Sequence, residues 1–254
     1  MATSTHLLLG DSFSLLPTLE VESVDALITD PPYCSGGVSA SERARDPVTK
    51  YEQGGVRNSR VTFSGDQKDQ RSWTRWTSEW LRACYPLMRT GAPFAIFCDW
   101  RQLPALSDAV QMADLLWRGV AVWDKTVRTR PVRGRPRNQC EYIVWGSKGP
   151  MSTDREAAVL PGVHMEAVRQ RDKHHLTGKP VGVMRWLCGL CEPGKLILDP
   201  FAGSGSTGVA AALAGYRFIG IERDPHHYAI AEKRLNAASR GIILTAAETL
   251  RQAA

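Results

Sequence analysis

Long apolar runs, a secretion signal and internal repeats are all missing from this sequence. No apolar run approaches the roughly 18 residues that a membrane-spanning helix needs, and residues 1–10 lack the basic start and cleavage signal of a secretory peptide. A cytoplasmic protein is therefore expected. The hydrophobic fraction of 43% and the charged fraction of 23% are ordinary for a globular protein, so wholesale disorder is not expected.

Cysteine and histidine are scarce and poorly spaced for metal binding. Each contributes six residues to a chain of 254. Cys188 and Cys191 form a CxxC pair, but no second pair accompanies them. The histidines at 174–175 and 226–227 are adjacent, and adjacent side chains do not share one helical face. We expect the two cysteines to pack within a helix, and we expect no metal site.

Basic residues outnumber acidic ones, which gives a formal net charge of +6 and a pI near 9.1. That balance is compatible with a polyanionic partner without requiring one. Arginine is concentrated in one ten-residue stretch, which is either a solvated basic loop or a segment that binds phosphates. The members of this stretch are Arg128, Arg130, Arg133, Arg135 and Arg137.

Apolar runs suited to buried strands alternate with amphipathic segments, which is typical of a mostly parallel sheet covered by helices. Strands are predicted at 6–9, 25–29, 94–98, 119–123, 142–145, 196–198 and 218–221. Helices are predicted at 72–88, 104–116, 180–191, 207–214 and 225–238. Three stretches without periodicity are predicted to be irregular insertions in a single domain, 1–254, and these are 34–71, 126–138 and 148–173.

Three tryptophans recur at helical spacing in the first predicted helix. Trp73, Trp76 and Trp80 are three and four residues apart and would share one face. We interpret this face as part of the core, with stacking on nucleic-acid bases as the alternative.

A glycine-rich turn follows the strand predicted at 196–198. Gly203, Gly205 and Gly208 have the G-x-G-x-x-G spacing that lets a backbone approach a nucleotide-like ligand. Glu222 ends the next strand and lies 19 residues after Gly203, close to the offset at which an acid meets ribose hydroxyls. This strand–turn–helix–strand pattern is compatible with two ligands, a nicotinamide dinucleotide and S-adenosylmethionine.

The strand predicted at 25–29 runs into Asp30-Pro31-Pro32-Tyr33. Proline fixes φ and has no N–H, so this is a stiff corner whose carbonyls are free to accept hydrogen bonds. By itself the corner is either a turn or the acceptor site of a polar ligand. An exocyclic base amine is poorly nucleophilic, and two acceptors that hold both of its N–H bonds would expose its lone pair. The Asp30 carboxylate and the Pro31 carbonyl are suited to that task, and Tyr33 offers a flat face.

Together these segments resemble the DNA amino-methyltransferases. The tetrapeptide 30–33 resembles their motif IV, the stretch 199–205 resembles their Asp-Pro-Phe-x-Gly-x-Gly motif, and Ile219-Gly-Ile-Glu222 resembles the ribose-binding strand. The catalytic motif precedes the cofactor motif, which is the order of the β group, a circular permutation of the usual fold.

Weaker resemblances extend the match to about two thirds of the chain. Residues 8–11 resemble the family's opening segment, and residues 122–125 and 141–145 resemble its later strands. The stretch His175-Leu-Thr-Gly-Lys-Pro180 is similar to His-Pro-Thr-Gln-Lys-Pro, which helps to hold the methionine carboxylate, but positions 176 and 178 differ.

The resemblance implies a circularly permuted Rossmann-like fold with a mostly parallel seven-stranded sheet and helices on both faces. It implies S-adenosylmethionine as cofactor, with S-adenosylhomocysteine as product. The implied catalytic residues are Asp30, Pro31, Pro32 and Tyr33. The implied cofactor-binding residues are Asp11, Asp30, His175, Thr177, Lys179, Asp199, Phe201, Gly203, Ser204, Gly205, Ser206, Thr207, Glu222 and Arg223.

For three residues in these motifs a purely structural role is also possible. Asp11 can simply cap a helix, and Lys179 can be an ordinary surface lysine. Glu141 can pair with a nearby arginine instead of serving the base pocket.

The implied substrate is double-stranded DNA with its target base flipped out against Tyr33. Asp rather than Ser at position 30 favours adenine N6, with cytosine N4 as the alternative. The arginines between 128 and 137 would bind phosphates or read guanine. A homodimer is expected, because one compact chain offers little surface to surround a duplex. RNA adenine, protein glutamine, a dehydrogenase and an inactive DNA-binding module remain alternatives.

Overall fold

The computed structural model describes residues 4–34, 68–129, 131–168 and 178–251. Within them, eight strands form one sheet in the order β1-β8-β7-β2-β3-β5-β4-β6. The strands are β1 (Thr5–Leu9), β2 (Ala26–Thr29), β3 (Pro93–Cys98), β4 (Leu116–Asp124), β5 (Cys140–Ser147), β6 (Val163–Met165), β7 (Leu196–Asp199) and β8 (Arg217–Glu222).

The pairing directions bring most strand ends to the same edge. β5 pairs antiparallel with both β3 and β4, and every other pair in the sheet is parallel. The carboxyl ends of β2, β3, β4, β7 and β8 therefore meet at one edge together with the start of β5. The chain order reverses between β7 and β2, and such a switch point is where open α/β sheets bind ligands. The predicted mostly parallel sheet is confirmed.

Helices cover both faces of this sheet. One buried cluster includes Trp73, Trp80 and Leu106 beneath the helices that follow β2 and β3, and the other includes Leu187 and Val209. No helix in the described ranges is both long and apolar enough to cross a bilayer. The helices are α1 (Ser12–Leu15), α2 (Gln70–Cys84), α3 (Leu103–Met112), α4 (Val181–Cys188), α5 (Ser206–Leu213), α6 (Pro225–Ala238) and α7 (Ala246–Arg251).

Several predicted boundaries are wrong for identifiable reasons. The predicted helix 72–88 ends at Cys84, because Pro86 cannot continue the backbone ladder and a 3-10 turn follows. The predicted helix 104–116 ends at Met112; Asp114 adopts a left-handed φ of 59°, and Leu116 already belongs to β4.

The stretch predicted to be irregular at 148–173 contains β6, an eighth strand beyond the seven expected. With three residues it is too short to show a period, and its pairing with β4 creates it. The described residues of the stretch 126–138 contain no helix or strand. Most of the stretch 34–71 lies outside the described residues, and its described end already begins α2.

Candidate active site

The corner at residues 30–33 begins where β2 ends. The Trp73 indole donates to the Pro32 carbonyl at 2.7 Å, and the Gln102 amide donates to the Tyr33 carbonyl at 2.7 Å. No donor among the described residues reaches the carbonyl of Pro31. Two carbonyls of the corner are therefore tethered to α2 and to the start of α3, while the Pro31 carbonyl that precedes them keeps its acceptor capacity toward a ligand.

Four charged side chains form a cluster around this corner. Lys179 Nζ lies 2.7 Å from Asp30 Oδ2 and 3.2 Å from Glu141 Oε2. Lys125 Nζ lies 3.2 Å from Glu141 Oε1. The Tyr33 hydroxyl donates to the other oxygen of Asp30. The two carboxylates thus share the Lys179 ammonium, and the cluster is electrically balanced.

Burial and charge act against each other in this cluster. Burial raises the pKa of Asp30, and the Lys179 ammonium only partly opposes that rise. For Glu141 burial acts in the same direction, but two lysines outweigh it and the pKa is lowered. Burial disfavours the charged form of Lys179, yet both carboxylates together raise its pKa. Tyr33 keeps its proton, since burial and Asp30 raise its pKa well above the usual value.

Asp199 joins the corner to the glycine turn. Its carboxylate accepts from the Thr29 hydroxyl at 2.6 Å, the Thr207 hydroxyl at 2.5 Å and the Phe201 N–H at 3.0 Å. Because Thr29 directly precedes Asp30, these bonds fix the end of β2 against the end of β7. Burial raises the pKa of Asp199 to about 6.

The glycine turn between β7 and α5 is fixed from behind by α6. Gly205 has a φ of 82°, and an added Cβ would lie 3.0 Å from the Cβ of Ala231 on α6. Glycine alone adopts that conformation without strain. Arg234, which is 3% exposed, donates to the Ser204 carbonyl and approaches the Ser204 and Ser206 hydroxyls at 3.2 Å and 3.4 Å.

Glu222 closes the turn from the end of β8. Its two oxygens accept from the Gly203 N–H at 2.8 Å and from the Asp224 N–H at 2.7 Å. Burial raises the pKa of Glu222, and these backbone donors oppose the rise. Arg223 beside it is exposed.

A cleft runs along the sheet edge between the corner and the glycine turn. Asp30, Lys179, Gly203 and Glu222 all line it. So do Asp11, Phe201 and Trp76. The structure therefore brings both predicted motifs into one site.

The remaining predicted cofactor-binding residues are Asp11, Lys179, His175 and Thr177, and the structure describes only the first two. Asp11 does cap α1, accepting from Phe13 N–H at 3.0 Å, and it also lines the cleft. Lys179 is 6% exposed, so its interpretation as a surface lysine is wrong. His175 and Thr177 lie outside the described residues.

The arginine-rich loop 126–138 joins β4 to β5 at the same sheet edge as the cleft. It contains no acidic residue, and the side chains of residues 131–138 are exposed. Arg137 differs from the other described arginines of the loop, because its guanidinium donates to the Thr129 carbonyl at 2.5 Å. This hydrogen bond joins the two ends of the loop and stabilises it. Arg128, Arg133 and Arg135 make no ion pair with the described residues, and Arg130 lies outside them.

Sequence reasoning missed Arg234 and left open how Glu141 and Trp76 are placed. Glu141 pairs with lysines instead of arginines and contacts the Tyr33 hydroxyl at 3.4 Å. Arg234 gave no signal, because a single arginine in an amphipathic helix is unremarkable in sequence. The three tryptophans of α2 differ in their surroundings. Trp73 and Trp80 are buried, whereas Trp76 lines the cleft, and its ring centre lies 5.3 Å from that of Phe201.

The CxxC pair is structural. Cys188 and Cys191 are both buried in the cluster beneath α4. Burial raises the pKa of the Cys191 thiol to about 12, so this cysteine is a packed thiol at neutral pH.

A family model described as DNA methylase, of the N6/N4 methyltransferases, matches residues 24–233. The chain belongs to this family. The Escherichia coli K12 protein "Putative methylase YubD" is 30% identical over 234 residues, which cover 92% of this chain and 91% of that protein. The type II methyltransferase M2.DpnII of Streptococcus pneumoniae is 27% identical, over 90% of this chain and 88% of its own.

Solved structures of this DNA methylase family share the fold. The M1.HpyAVI–SAM complex has a TM-score of 0.66 at 21% identity, and the match covers 91% of this chain and 99% of that one. The PvuII DNA methyltransferase, which is cytosine-N4-specific, has a TM-score of 0.66 at 14% identity, covering 94% and 93% of the two chains. The predicted fold class, an α/β fold with a mostly parallel sheet, is thereby confirmed.

Proposed function

We propose that this DNA methylase transfers a methyl group from S-adenosylmethionine to the N6 amine of a flipped-out adenine in double-stranded DNA. The observation that carries the proposal is the shared cleft, which is lined by Asp30 and Pro31 on one side and by the glycine turn on the other. Cytosine N4 is the second candidate, because the cytosine-N4-specific PvuII enzyme has the same fold.

The glycine side of the cleft fits S-adenosylmethionine. A Cβ added to Gly203 would find no described atom closer than the Phe201 carbonyl at 4.0 Å, so the turn leaves open space that a side chain would fill. Glu222 lies beside this space, where a ribose diol needs an acceptor. Asp11 and Trp76 line the same cleft and can contact an adenine ring.

When bound, S-adenosylmethionine supplies an electrophilic sulfonium methyl and leaves as S-adenosylhomocysteine. The chain's own task is to hold the amine. The Asp30 carboxylate and the Pro31 carbonyl would each accept one N–H bond and so direct the nitrogen lone pair toward the methyl group. Because burial raises the pKa of Asp30, this carboxylate is also suited to take the proton that the methylated nitrogen must lose.

The placement of the arginine loop supports duplex DNA as the substrate. Arg128, Arg133 and Arg135 project from the sheet edge that carries Asp30 and can bind phosphates on either side of a flipped base. Arg137 braces the loop, so we assign it a positioning role rather than a phosphate contact. The role of Arg130 stays a prediction.

Asp30 is the residue that favours adenine over cytosine. It stands where Ser is the commoner residue in cytosine-N4 enzymes. The two-acceptor arrangement itself suits either amine, so the choice depends on the pocket around the ring.

We also propose that the enzyme acts on DNA as a homodimer. The described elements form one sheet with one basic loop at its edge, and this leaves little surface to enclose a duplex. Sedimentation with and without DNA tests this point, and a monomer under both conditions would refute it.

The direct test of the proposed activity uses methyl-labelled S-adenosylmethionine with unmethylated genomic DNA, followed by mass spectrometry of the nucleosides. Label in N6-methyladenine is expected. Label in N4-methylcytosine would select the second candidate, whereas label in neither base would refute both. A parallel reaction with RNA separates the RNA-modifying alternative.

A further inference from the structure

We propose that Lys179 and Glu141 are positioning residues for the catalytic carboxylate: Lys179 holds Asp30 ionised and oriented, and Glu141 holds Lys179. This assignment rests on the proposed function and differs from the expectation that Lys179 binds the carboxylate of S-adenosylmethionine. It follows from what the ammonium group already contacts.

The donors of Lys179 are largely committed within the protein. Its Nζ is 2.7 Å from Asp30 and 3.2 Å from Glu141, and it lies 5.1 Å from the ring centres of both Tyr33 and Phe97. The side chain is 4% exposed. A ligand carboxylate would have to displace one of two partly buried carboxylates, and leaving such a carboxylate unpaired is costly.

The frame around Lys179 is built by the sheet and is independent of any ligand. Asp30 ends β2 and Glu141 lies near the start of β5, with β3 between these two strands. Lys179 bridges the two carboxylates across Phe97 of β3. Lys125 directly precedes the arginine loop. It binds the other Glu141 oxygen and so holds the Glu141 carboxylate in place from the side opposite Lys179.

The cluster gives each member a distinct electrostatic effect on Asp30. The Lys179 ammonium favours the ionised carboxylate, whereas burial and the Glu141 charge favour the protonated one. Only an ionised Asp30 can accept from the substrate amine and then take its proton. Among the described residues, the titratable or charged groups around Asp30 are Tyr33, Cys98, Asp99, Lys125, Glu141, Lys179 and Asp199.

Two variants should therefore move the pH profile in opposite directions. In Lys179→Met, Asp30 loses its cation and keeps Glu141, so the acid limb of single-turnover methyl transfer should move up by about one pH unit. Because Asp30 in Lys179→Met also loses the contact that orients it, the rate of this variant at neutral pH should fall about 100-fold. In Glu141→Gln, a like charge disappears while the shape is kept, so the acid limb should move to lower pH. A purely structural role would not produce shifts of opposite sign.

Cofactor affinity provides a readout that does not depend on activity. Calorimetric titration with S-adenosylhomocysteine and with methylthioadenosine, which lacks the amino-acid part, compares wild type with Lys179→Met. The inference expects both Kd values to change by less than about threefold. If Lys179 instead binds the ligand carboxylate, S-adenosylhomocysteine should weaken about tenfold or more while methylthioadenosine does not, and the inference is overturned.

Further controls keep every outcome decisive. Lys179→Arg keeps the charge and should keep the acid limb at its wild-type position. If Lys179→Met does not fold, Glu141→Gln decides alone, because an unchanged or upward-shifted acid limb contradicts the inference. A wild-type chain without activity on any DNA would refute the proposed function itself, whereas active wild type with unshifted variants refutes only this assignment.

Discussion

On the glycine side of the cleft, the Asp199 carboxylate has neutral hydrogen-bond donors, whereas the Asp30 carboxylate belongs to a cluster of four charged side chains. Asp199 accepts from two hydroxyls and one backbone N–H. Asp30 instead receives a lysine and a tyrosine hydroxyl. Asp199 is buried and Asp30 is partly buried, and burial raises both pKa values.

This difference separates two tasks. The hydroxyl and backbone donors around Asp199 fix the backbone beside the proposed cofactor. The balanced charges around Asp30 keep a reactive carboxylate where desolvation would otherwise protonate it. Variants on the two sides should therefore fail in different ways, with binding lost on one side and chemistry lost on the other.

The largest effect is expected on the charged side. Asp30→Ala removes one of the two acceptors for the target amine, so methyl transfer should fall about 1,000-fold or more. The matched Asp30→Asn variant keeps an acceptor oxygen but loses the charge, and it should also be strongly impaired. Calorimetry with S-adenosylhomocysteine should show a Kd within about threefold of wild type for both variants. Unchanged turnover in Asp30→Ala would remove Asp30 from catalysis.

A smaller effect is expected at the loop that extends from the charged side. Replacing Arg128, Arg133 and Arg135 by Ala should weaken duplex binding about 100-fold at moderate salt and lower the salt slope by about three. Fluorescence anisotropy across a salt series measures both quantities. Arg137→Ala is the contrasting variant, since it should loosen the loop with little change in slope. An unchanged slope in the triple variant would place the phosphate contacts elsewhere.

The sequence predicted the glycine side more completely than the charged side, for a physical reason. Gly203, Gly205 and Glu222 lie on one local strand–turn–helix–strand unit, so their spacing predicts their geometry. Glu141 and Lys125 reach Asp30 only through the order β2-β3-β5-β4, which joins residues more than 90 positions apart. Long-range partners of this kind leave no periodic signal, and neither does the three-residue β6, which exists because β4 offers it an edge.

On the glycine side, Gly205→Ala should impair binding before chemistry. The new Cβ would lie 3.0 Å from Ala231 in a backbone with a φ of 82°. Gly215→Ala is the matched control, because Gly215 has the same φ and no atom within 4 Å of an added Cβ. Each should cost about 1–2 kcal/mol of stability for the left-handed φ. Only Gly205→Ala should also weaken S-adenosylhomocysteine, by about tenfold. Equal affinities for the two variants would show that the turn is not the cofactor site.

The smallest effect concerns the carboxylate that joins the two sides. Burial raises the pKa of Asp199 to about 6, above its value in the unfolded chain. At pH values between these two pKa values, the folded state therefore binds more protons than the unfolded state. Stability from this group is therefore complete at low pH and is lost as the pH rises through about 6. Asp199→Asn has no such titration. Its unfolding free energy should gain about 1.4 kcal/mol on wild type between pH 5 and pH 7. Urea unfolding at the two pH values measures this gain. Parallel stability curves would mean that Thr29, Thr207 and the Phe201 N–H already offset the free-energy cost of burying the Asp199 charge.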